Sequence, residues 1–588
     1  MCGIFALLNN SCTYSDEFIK TQFNKGKNRG PEFSKLQNTY LKCIFGFHRL
    51  AINGLDEISN QPIILNNITL ICNGEIYNYR ELYTLMGIQP QTNSDCEVII
   101  NLYEKYGIEQ TLQLIEGVFA FVLCDYRTAN TQLYVARDPY GVRPLYMLSS
   151  SSSSSDNLTS LTTKEEIFGF ASELKVLSEF CSERPDLTVR QFIPGTYSEF
   201  TISDKAISTW KYMGESIAYH KPSFSSHTLT QILSPTQSEK YLYGIREHLQ
   251  LSIAKRYITT DRKIACLLSG GLDSSLITAL VCEQHKKQQC SIMDQPNATN
   301  QNITNIETYS IGLAGSEDLR YAKIVADYLG TKHTEIIVTE DEMFEVIPEV
   351  IHAIESYDTT TIRASIGNYL LGKYISKHSD AKVIFNGDGS DELCGGYLYM
   401  NQCNDVFEFD KETKRLLRDI YLFDVLRSDK SISSHGLEPR TPFLDKSFVQ
   451  YYLSIPHSIR CHTFSKNCEK FLLRSAFSSK YYLNSEGKQI LPDEILWRRK
   501  EAFSDGVSGT GPSLFQILQQ KITEKLNQTD NGATQYAENI ETEKYYYKKW
   551  FDYYYPNMSH ILPYFWMPKY TKNATDPSAR TLDIYHNT

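Results

Sequence analysis

The pattern of apolar runs changes character once along this 588-residue chain, and that change limits the fold more than any other feature. Up to about residue 210, short runs rich in β-branched and aromatic residues recur at Tyr40–Phe47, Ile63–Cys72, Val118–Asp125 and Gln132–Ala136. Turn signals, Asn53-Gly54, Asn73-Gly74 and Pro139-Tyr140-Gly141, separate them, which predicts a strand-rich domain with some helix. From Glu239 short runs alternate with helical patterns. Lys263–Leu268 precedes a helical pattern over Ser274–Glu283, and Thr308–Ile311 and Lys382–Phe385 each end in a Gly-containing loop. Such alternation predicts a parallel sheet whose ligands gather at the carboxyl ends of its strands. The expected organisation is a first domain over 1–210, a polar linker over 211–238 and a second domain over 239–588 with its tail. The run Ser149–Ser155 reads as an exposed loop insertion, and the Gln/Asn-rich stretch 286–306 as a mobile loop.

Charge narrows the partners. The chain has 59 Lys+Arg against 69 Asp+Glu, a net charge of -10, which argues against a nucleic-acid or anionic-lipid partner. The tyrosine clusters Tyr545–Tyr547 and Tyr553–Tyr555 therefore read as packing surface rather than a base-stacking platform. No stretch approaches the ~18–20 apolar residues of a membrane helix, and the N-terminus lacks a signal-peptide pattern. Asn-x-Ser/Thr triplets at Asn297 and Asn573 carry no meaning without secretion. Fourteen cysteines stand singly, with no C-x-x-C pair and no metal-ligand spacing with His. The expectation is a soluble protein with free thiols in a reducing compartment, with cytoplasm as the default.

Cys2 follows the initiator Met directly. Removal of Met1 would leave a thiol beside its own α-amine, which titrates near ~7.7–8.0 and can act as the thiol's base. Taken alone, an ordinary cysteine at position 2 explains the same residue. Further along, Arg49 offers a guanidinium fork suited to an α-carboxylate, followed by Leu50-Ala51-Ile52-Asn53. Asn73-Gly74-Glu75 is expected at a strand end, with an amide and a backbone N–H placed for an oxyanion. Ser94-Asp95 opens a helical pattern, so Asp95 either accepts from a substrate ammonium or simply caps the helix.

In the second half, Leu268-Ser269-Gly270-Gly271-Leu272-Asp273-Ser274-Ser275 joins an apolar run to a helix. Glycines let the backbone approach an anion, hydroxyls donate, and the helix N-terminus favours negative charge. No Gly-Lys-Ser/Thr follows, so this is not a Walker loop, and a capped Gly-rich turn is the plain alternative. Asn386-Gly387-Asp388-Gly389-Ser390-Asp391-Glu392 repeats the arrangement; it is no calcium loop, because no Glu stands at the twelfth position. Two acidic loops facing a triphosphate require a bridging Mg²⁺, for which Asp273 and Asp391 are the candidate ligands.

Taken together, the first half resembles the class II, N-terminal-nucleophile glutamine amidotransferases, through Met1–Phe5, Arg29-Gly30-Pro31, His48–Ile52, Asn73–Asn78 and Ser94-Asp95. The second half resembles the ATP-pyrophosphatase domain of asparagine synthetases, through Ser269–Ser275, Tyr309–Leu313, Tyr357–Ser365, Gly387–Glu392, Gly395-Gly396-Tyr397, Glu438–Asp445, Glu469-Lys470, Trp497–Glu501, Phe503–Val507 and Asp576–Arg580. The resemblance implies an αββα sandwich followed by a parallel-sheet α/β domain with a helical tail. It implies that Cys2 attacks glutamine's amide, that Asn73 and Gly74 hold the oxyanion, that Arg49 with Leu50, Ala51, Ile52 and Asn53 receives the α-carboxylate side, and that Glu75 and Asp95 take the ammonium. ATP would bind at Leu268, Ser269, Gly270, Gly271, Asp273, Ser274, Ser275, Ile311, Asn386, Gly387 and Lys470, and would adenylate the β-carboxylate of aspartate. Aspartate would bind at Thr360, Arg363, Asp388 and Asp391, with Asp388 as base toward ammonia, and a homodimer is the family expectation. Two departures stand out: Glu32 where the family usually has Asp, and Asp388 where it usually has Glu. An amidotransferase acting on another carboxylate, or a non-catalytic nucleotide-sensing or storage relative, are the alternatives.

Overall fold

The computed structural model describes residues 2–39, 41–128, 130–150, 166–202, 209–221, 235–293, 305–501, 506–508, 511–529, 535–571 and 574–586. Met1, Tyr40, the serine run beyond Ser150, the linker stretch 222–234, residues 294–304 with Asn297, Phe503–Asp505 and Asn573 lie outside them. The chain divides into two compact units. One comprises Met1–Lys221 with the short later segments Ser433–Leu437 and Phe551–Pro563; the other comprises Pro222–Ile432, Glu438–Trp550 and Tyr564–Thr588.

The first unit stacks two antiparallel sheets. In the six-stranded sheet, β1 (Gly3–Leu8) lies between β2 (Cys43–Arg49) and the strand Phe168–Ala171; in the seven-stranded sheet, β3 (Ile68–Ile76) pairs with β4 (Gly117–Asp125). Strand alternation sends Ile4, Ala6 and Leu8 of one sheet, with Phe45 and Phe47, against Ile71, Ala120 and Val122 of the other. On the far side of the second sheet, Leu70, Cys72, Phe119 and Phe121 pack with Val98, Ile99 and Leu102 of α2 (Glu97–Leu114). On the far side of the first, the Phe5 ring lies 6.1 Å from Phe23 of α1 (Asp16–Asn24) and 6.3 Å from Phe180. The result is the four-layer αββα sandwich. Because both faces of these strands are covered, their sequences run apolar without clear alternation.

Two local expectations change. The run Ile63–Cys72 is a hairpin rather than one strand: Ile63–Leu65 pairs with the start of β3, and Asn66 and Asn67 turn the chain at φ 49° and 61°. Asn73-Gly74 is no turn. Both residues lie inside β3, opposite Ala120 and Phe119, and a Cβ on Gly74 would stand 2.6 Å from the Val118 carbonyl oxygen. Glycine is needed there for close approach of two strands.

The second unit is built on a parallel sheet of five strands, β5 (Ile264–Leu267), β6 (Glu307–Leu313), β7 (Lys332–Val338), β8 (Val383–Phe385) and β9 (Glu438–Arg440), in the order β7-β6-β5-β8-β9. The chain winds outward from β5 in one direction and, after β8, in the other. Between β5 and β8 the strand order reverses, so the loops leaving their carboxyl ends part and open a crevice. Those loops are Leu268–Gly271, which leads into α3 (Leu272–Met293), and Asn386–Gly389, which leads into α6 (Ser390–Cys394). The α3 helix runs to Met293, so the first part of the 286–306 stretch is helical rather than loop, its Lys and Gln being good helix formers. Between these lie α4 (Glu317–Leu329) and α5 (Thr359–His378), and beyond them α7 (Asp424–Ser433) and α8 (Ile540–Tyr554).

Arg363, read from sequence as an aspartate ligand, is placed otherwise. Its Nε and Nη1 donate to Glu543 of α8 at 2.8 Å and to Asp576 at 2.7 Å, and Gln519 donates to both carboxylates. All its donors are directed into the tail, and it does not line the crevice. A guanidinium buried with two carboxylates satisfies its neighbours, whereas truncation strands two buried negative charges. Arg363→Met is therefore expected to lower stability by about 3–5 kcal/mol in denaturant unfolding, a mutational cost rather than a net bond energy. Unchanged stability with a raised KM for aspartate would return Arg363 to the substrate.

Candidate active sites

In the first unit Cys2 directly precedes β1, and its position is set from three sides. The Cys2 nitrogen donates to Asn73 Oδ1 at 3.0 Å, the Cys2 carbonyl accepts from Arg29 Nε at 3.0 Å, and the thiol points at the Leu50 carbonyl, 3.8 Å away. Asn73 thus spends its oxygen on the residue that carries the thiol. Its Nδ2 makes only a long 3.4 Å contact with Ser172 Oγ, which also accepts from Ile4 N at 3.1 Å. Gly74 follows at the close strand contact described above.

Arg49 donates to Asp56 O at 2.8 Å, to Asn60 Oδ1 at 2.7 Å, to Asn53 O at 3.2 Å and to Gly54 O. As placed, its guanidinium organises the turn over 53–60. Leu50, Ala51 and Ile52 are buried, and Ala51 N donates to Glu32 Oε2 at 2.8 Å. Asn53 Nδ2 donates to Glu75 Oε2 at 2.5 Å, and both side chains are buried. Asp95 does not cap the helix: α2 begins at Glu97, and Asp95 Oδ2 instead accepts from Ile76 N at 2.7 Å. The structure therefore gathers Cys2, Asn73, Gly74, Arg49–Asn53, Glu75 and Asp95 around the end of β3. Sequence reasoning assigned no part to Arg29, Glu32 or Ser172, although the Arg29-Gly30-Pro31 motif pointed at the first two.

In the second unit the crevice between β5 and β8 is lined by Leu268, Ser269, Gly271, Asp273, Ser274, Ile311, Thr360, Asn386, Gly387, Asp388, Asp391 and Lys470, all expected from sequence. Gly270 and Ser275 do not line it. Gly270 has φ +72° and stands where a Cβ would be 2.4 Å from Ala322 N, while Ser275 is fully buried in the first turn of α3. The two loops touch directly, since a Cβ on Gly387 would lie 2.8 Å from both Asp273 Cβ and Ser274 N. Asn386 supports its own loop, donating to Ser428 Oγ at 2.7 Å and accepting from Asp388 N at 3.3 Å.

Lys470 Nζ lies 2.6 Å from Asp273 Oδ2 and 2.5 Å from Asp391 Oδ1, and Lys500 Nζ lies 2.7 Å from Asp391 Oδ2. Burial opposes charge on Lys470 and Asp391, but the ion pairs overcome it, holding Lys470 above the usual lysine range and Asp391 well below the usual carboxylate range. Gly396 makes room for the clamp: a Cβ there would stand 1.9 Å from Lys470 Cε and 2.2 Å from Asp391 Oδ1.

Beside it, Arg427 Nη2 bridges Asp388 Oδ1 at 3.0 Å and Asp424 Oδ1 at 2.8 Å. The Tyr397 hydroxyl lies 2.5 Å from Glu392 Oε1 and 2.9 Å from Asp424 Oδ2. Burial, with Asp424 close by, pushes the Glu392 carboxyl well above its usual range. Lys500, Arg427, Glu392, Tyr397 and Asp424 received no role from sequence. Lys500 lay in the recognised Trp497–Glu501 motif, whereas nothing in the sequence joined Asp424 and Arg427 to the crevice.

The known proteins agree with this division. A family model described as asparagine synthase matches residues 244–408 and 402–561, and one described as glutamine amidotransferase domain matches residues 1–213. Three curated relatives named asparagine synthetase [glutamine-hydrolyzing] match end to end. The Rattus norvegicus protein is 39% identical over 606 residues, covering 100% of both chains, and the Homo sapiens protein is 39% identical over 602 residues, covering 100% of this chain and 99% of its own. The Bos taurus protein is 38% identical over 598 residues, again covering 100% and 99%. With the residues around Cys2 in one unit and the clamped acidic loops in the other, the chain belongs to the glutamine-hydrolysing asparagine synthetase family.

Proposed function

We propose that this chain makes L-asparagine from L-aspartate, L-glutamine and ATP, releasing glutamate, AMP and pyrophosphate. The observation that carries this reading is the presence in one chain of two differently equipped sites: Cys2 held through its nitrogen by Asn73, and a crevice whose two acidic loops are bridged by Lys470. Once Met1 is removed, the Cys2 amine donates to Asn73 Oδ1 and keeps its lone pair for the thiol proton. The thiolate attacks the glutamine amide, Asn73 Nδ2 and Gly74 N stabilise the oxyanion, ammonia leaves, and water then cleaves the γ-glutamyl thioester to glutamate and the free thiol. Glu75 and Asp95 provide the carboxylates for the substrate ammonium, and Arg49 faces the α-carboxylate after exchanging one of its loop carbonyls.

In the crevice, Ser269, Gly271 and Ser274 surround the phosphates and Lys470 and Lys500 offset their charge. The β-carboxylate oxygen of aspartate attacks the α-phosphorus, and the bond to the pyrophosphate oxygen breaks. Asp273 and Asp391 fit a divalent cation, being hard oxygen donors that already bracket one positive charge from opposite loops. They would hold Mg²⁺, which neutralises charge on the phosphates when bound. Thr360 lines the crevice with its Oγ1 buried and unpartnered, which suits a substrate acceptor group. Asp388, steadied by Arg427, takes a proton as ammonia adds to the β-carbonyl carbon of the aspartyl adenylate, and the C–O bond to AMP then breaks to leave the amide. A homodimer in the cytoplasm is part of the same proposal.

The direct assay supplies glutamine, ATP, Mg²⁺ and a panel of carboxylate acceptors and reads AMP, pyrophosphate and amide. AMP with aspartate as the preferred acceptor is expected; ADP would sink the adenylation step, and another preferred acceptor would reassign the substrate. In the same assay Cys2→Ala should abolish glutamine-dependent synthesis and leave synthesis from added ammonium within about twofold, since the thiol takes no part in adenylation. Asp388→Asn should lower ammonium-dependent synthesis by about 10²–10⁴-fold while glutamine hydrolysis persists; full synthetase activity would remove Asp388 as the base. Gly396→Ala forces Lys470 and Asp391 apart, and a shift of about 1 Å in the clamp should reduce adenylation by about 10²-fold. Measured by ATP–pyrophosphate exchange, an unchanged rate would show that the clamp has no catalytic part.

A further inference from the structure

Arg498 lines the crevice of the second unit with its side chain only 7% exposed. Nη2 donates to Asp318 Oδ1 at 2.9 Å, but Nη1 is buried and has no hydrogen-bond partner. A guanidinium N–H withdrawn from water and left unpaired is costly, so such a group beside a crevice marks the place of an acceptor that arrives with a ligand. The neighbouring cations are engaged: Lys470 and Lys500 hold the acidic loops, and Arg474 donates to Glu469 and to the Leu496 carbonyl.

The surroundings of Arg498 are built to hold it flat and close to the phosphate loop. Its guanidinium carbon lies 4.0 Å from the centre of the Tyr321 ring, and Asp318 and Tyr321 stand three residues apart on α4, on the same face. That face abuts the glycine loop, since a Cβ on Gly270 would lie 2.5 Å from Tyr321 Cβ. One helix therefore presses against the phosphate loop and fixes the orientation of Arg498 through a ring and a carboxylate. A planar fork with a spare donor suits a phosphoryl oxygen better than a carbonyl.

We propose that Arg498 is a pyrophosphate ligand of the adenylating site, with Nη1 donating to an oxygen of the β,γ-phosphoryl pair in ATP. When the aspartate oxygen takes the α-phosphorus, the pyrophosphate departs with the electron pair of the broken P–O bond and stays on Arg498 until release. This assignment rests on the adenylation reading given above. Tyr321 is a positioning residue, acting only through the plane of the guanidinium.

The test is calorimetric binding of inorganic pyrophosphate, with Mg²⁺ present, to the full-length wild type, Arg498→Gln and Tyr321→Leu, together with the KM for ATP and for aspartate. Loss of a charge-assisted bond should weaken pyrophosphate binding by about 10- to 100-fold in Arg498→Gln and raise the ATP KM in step, with the aspartate KM unmoved. Tyr321→Leu keeps the charge and should lose several-fold. Pyrophosphate affinity in folded Arg498→Gln within twofold of wild type overturns the proposal, as does a wild type that binds no pyrophosphate. If Arg498→Gln fails to fold by circular dichroism, Tyr321→Leu decides, and unchanged affinity there overturns it. A wild type that binds pyrophosphate through Arg498 yet forms ADP would overturn adenylation and leave the ligand assignment standing.

Discussion

One ammonium group, Lys470 Nζ, holds together the two loops on which the second unit's chemistry depends. Without it, Asp273 and Asp391 would face each other across the crevice as two like charges. Two like charges about 4 Å apart repel by roughly 4 kcal/mol at a protein-surface dielectric, and the loops touch closely enough that Gly387 has no room for a Cβ against Asp273. The clamp removes that repulsion and fixes both carboxylates. It also poses the site's central requirement: the same oxygens that would hold a divalent cation already share a lysine, so nucleotide binding must redistribute charge rather than add it. Lys500, reaching Asp391 from the Trp497–Glu501 segment, supplies the second positive group that makes such a redistribution feasible.

The topology explains why these loops meet at all. Strands β5 and β8 are neighbours in the sheet but distant in sequence, and the reversal of winding between them leaves their loops without a covering helix. Alternation of strand and helix from Glu239 onward was enough to expect this crevice and to place Ser269–Ser275 and Asn386–Glu392 beside it. It could not supply Arg427, and Lys470 came only from the resemblance carried by Glu469-Lys470. Their side chains reach the loops from segments some 200 and 40 residues away in sequence, Lys470 to Asp273 and Arg427 to Asp388. Only packing decides where a long flexible cation ends. Arg363 shows the same limit from the other side: a motif put it beside the substrate, while burial with Glu543 and Asp576 gave it to the tail.

In the first unit the legible part was chemical and the illegible part was steric. Cys2, Asn73 and Glu75 stood out because few side chains can serve in the roles proposed for them, as nucleophile, oxyanion donor and ammonium acceptor. Asn73-Gly74 nevertheless looked like a turn, because the same pair is the commonest hairpin signal. Inside β3 the glycine answers to the Val118 carbonyl on the next strand, a constraint that leaves no trace in local sequence. The true turn, Asn66-Asn67, lay hidden in an apolar run that read as one strand. Asp95 likewise behaves as a receptor for the Ile76 amide rather than a cap, tying the start of α2 to the end of β3.

The two departures from the family pattern show how such sites absorb a change of one methylene. Glu32 is one carbon longer than the usual Asp, and its carboxylate reaches Ala51 N at 2.8 Å, holding the backbone just after Arg49. Length there is accommodated because the partner is an amide on a buried segment that can be met from slightly farther away. Asp388 is one carbon shorter, and in the base role proposed for it a carboxylate cannot be moved back without loss, since proton transfer requires hydrogen-bond distance to the attacking nitrogen. Here the compensation is electrostatic and positional. Arg427 bridges Asp388 to Asp424, and Asp424 in turn shares Tyr397 with Glu392. The negative charge near the acceptor is thereby divided over a fixed network rather than left on one flexible side chain. A shorter carboxylate with a fixed direction retains the geometry that a longer, freer one would have to find.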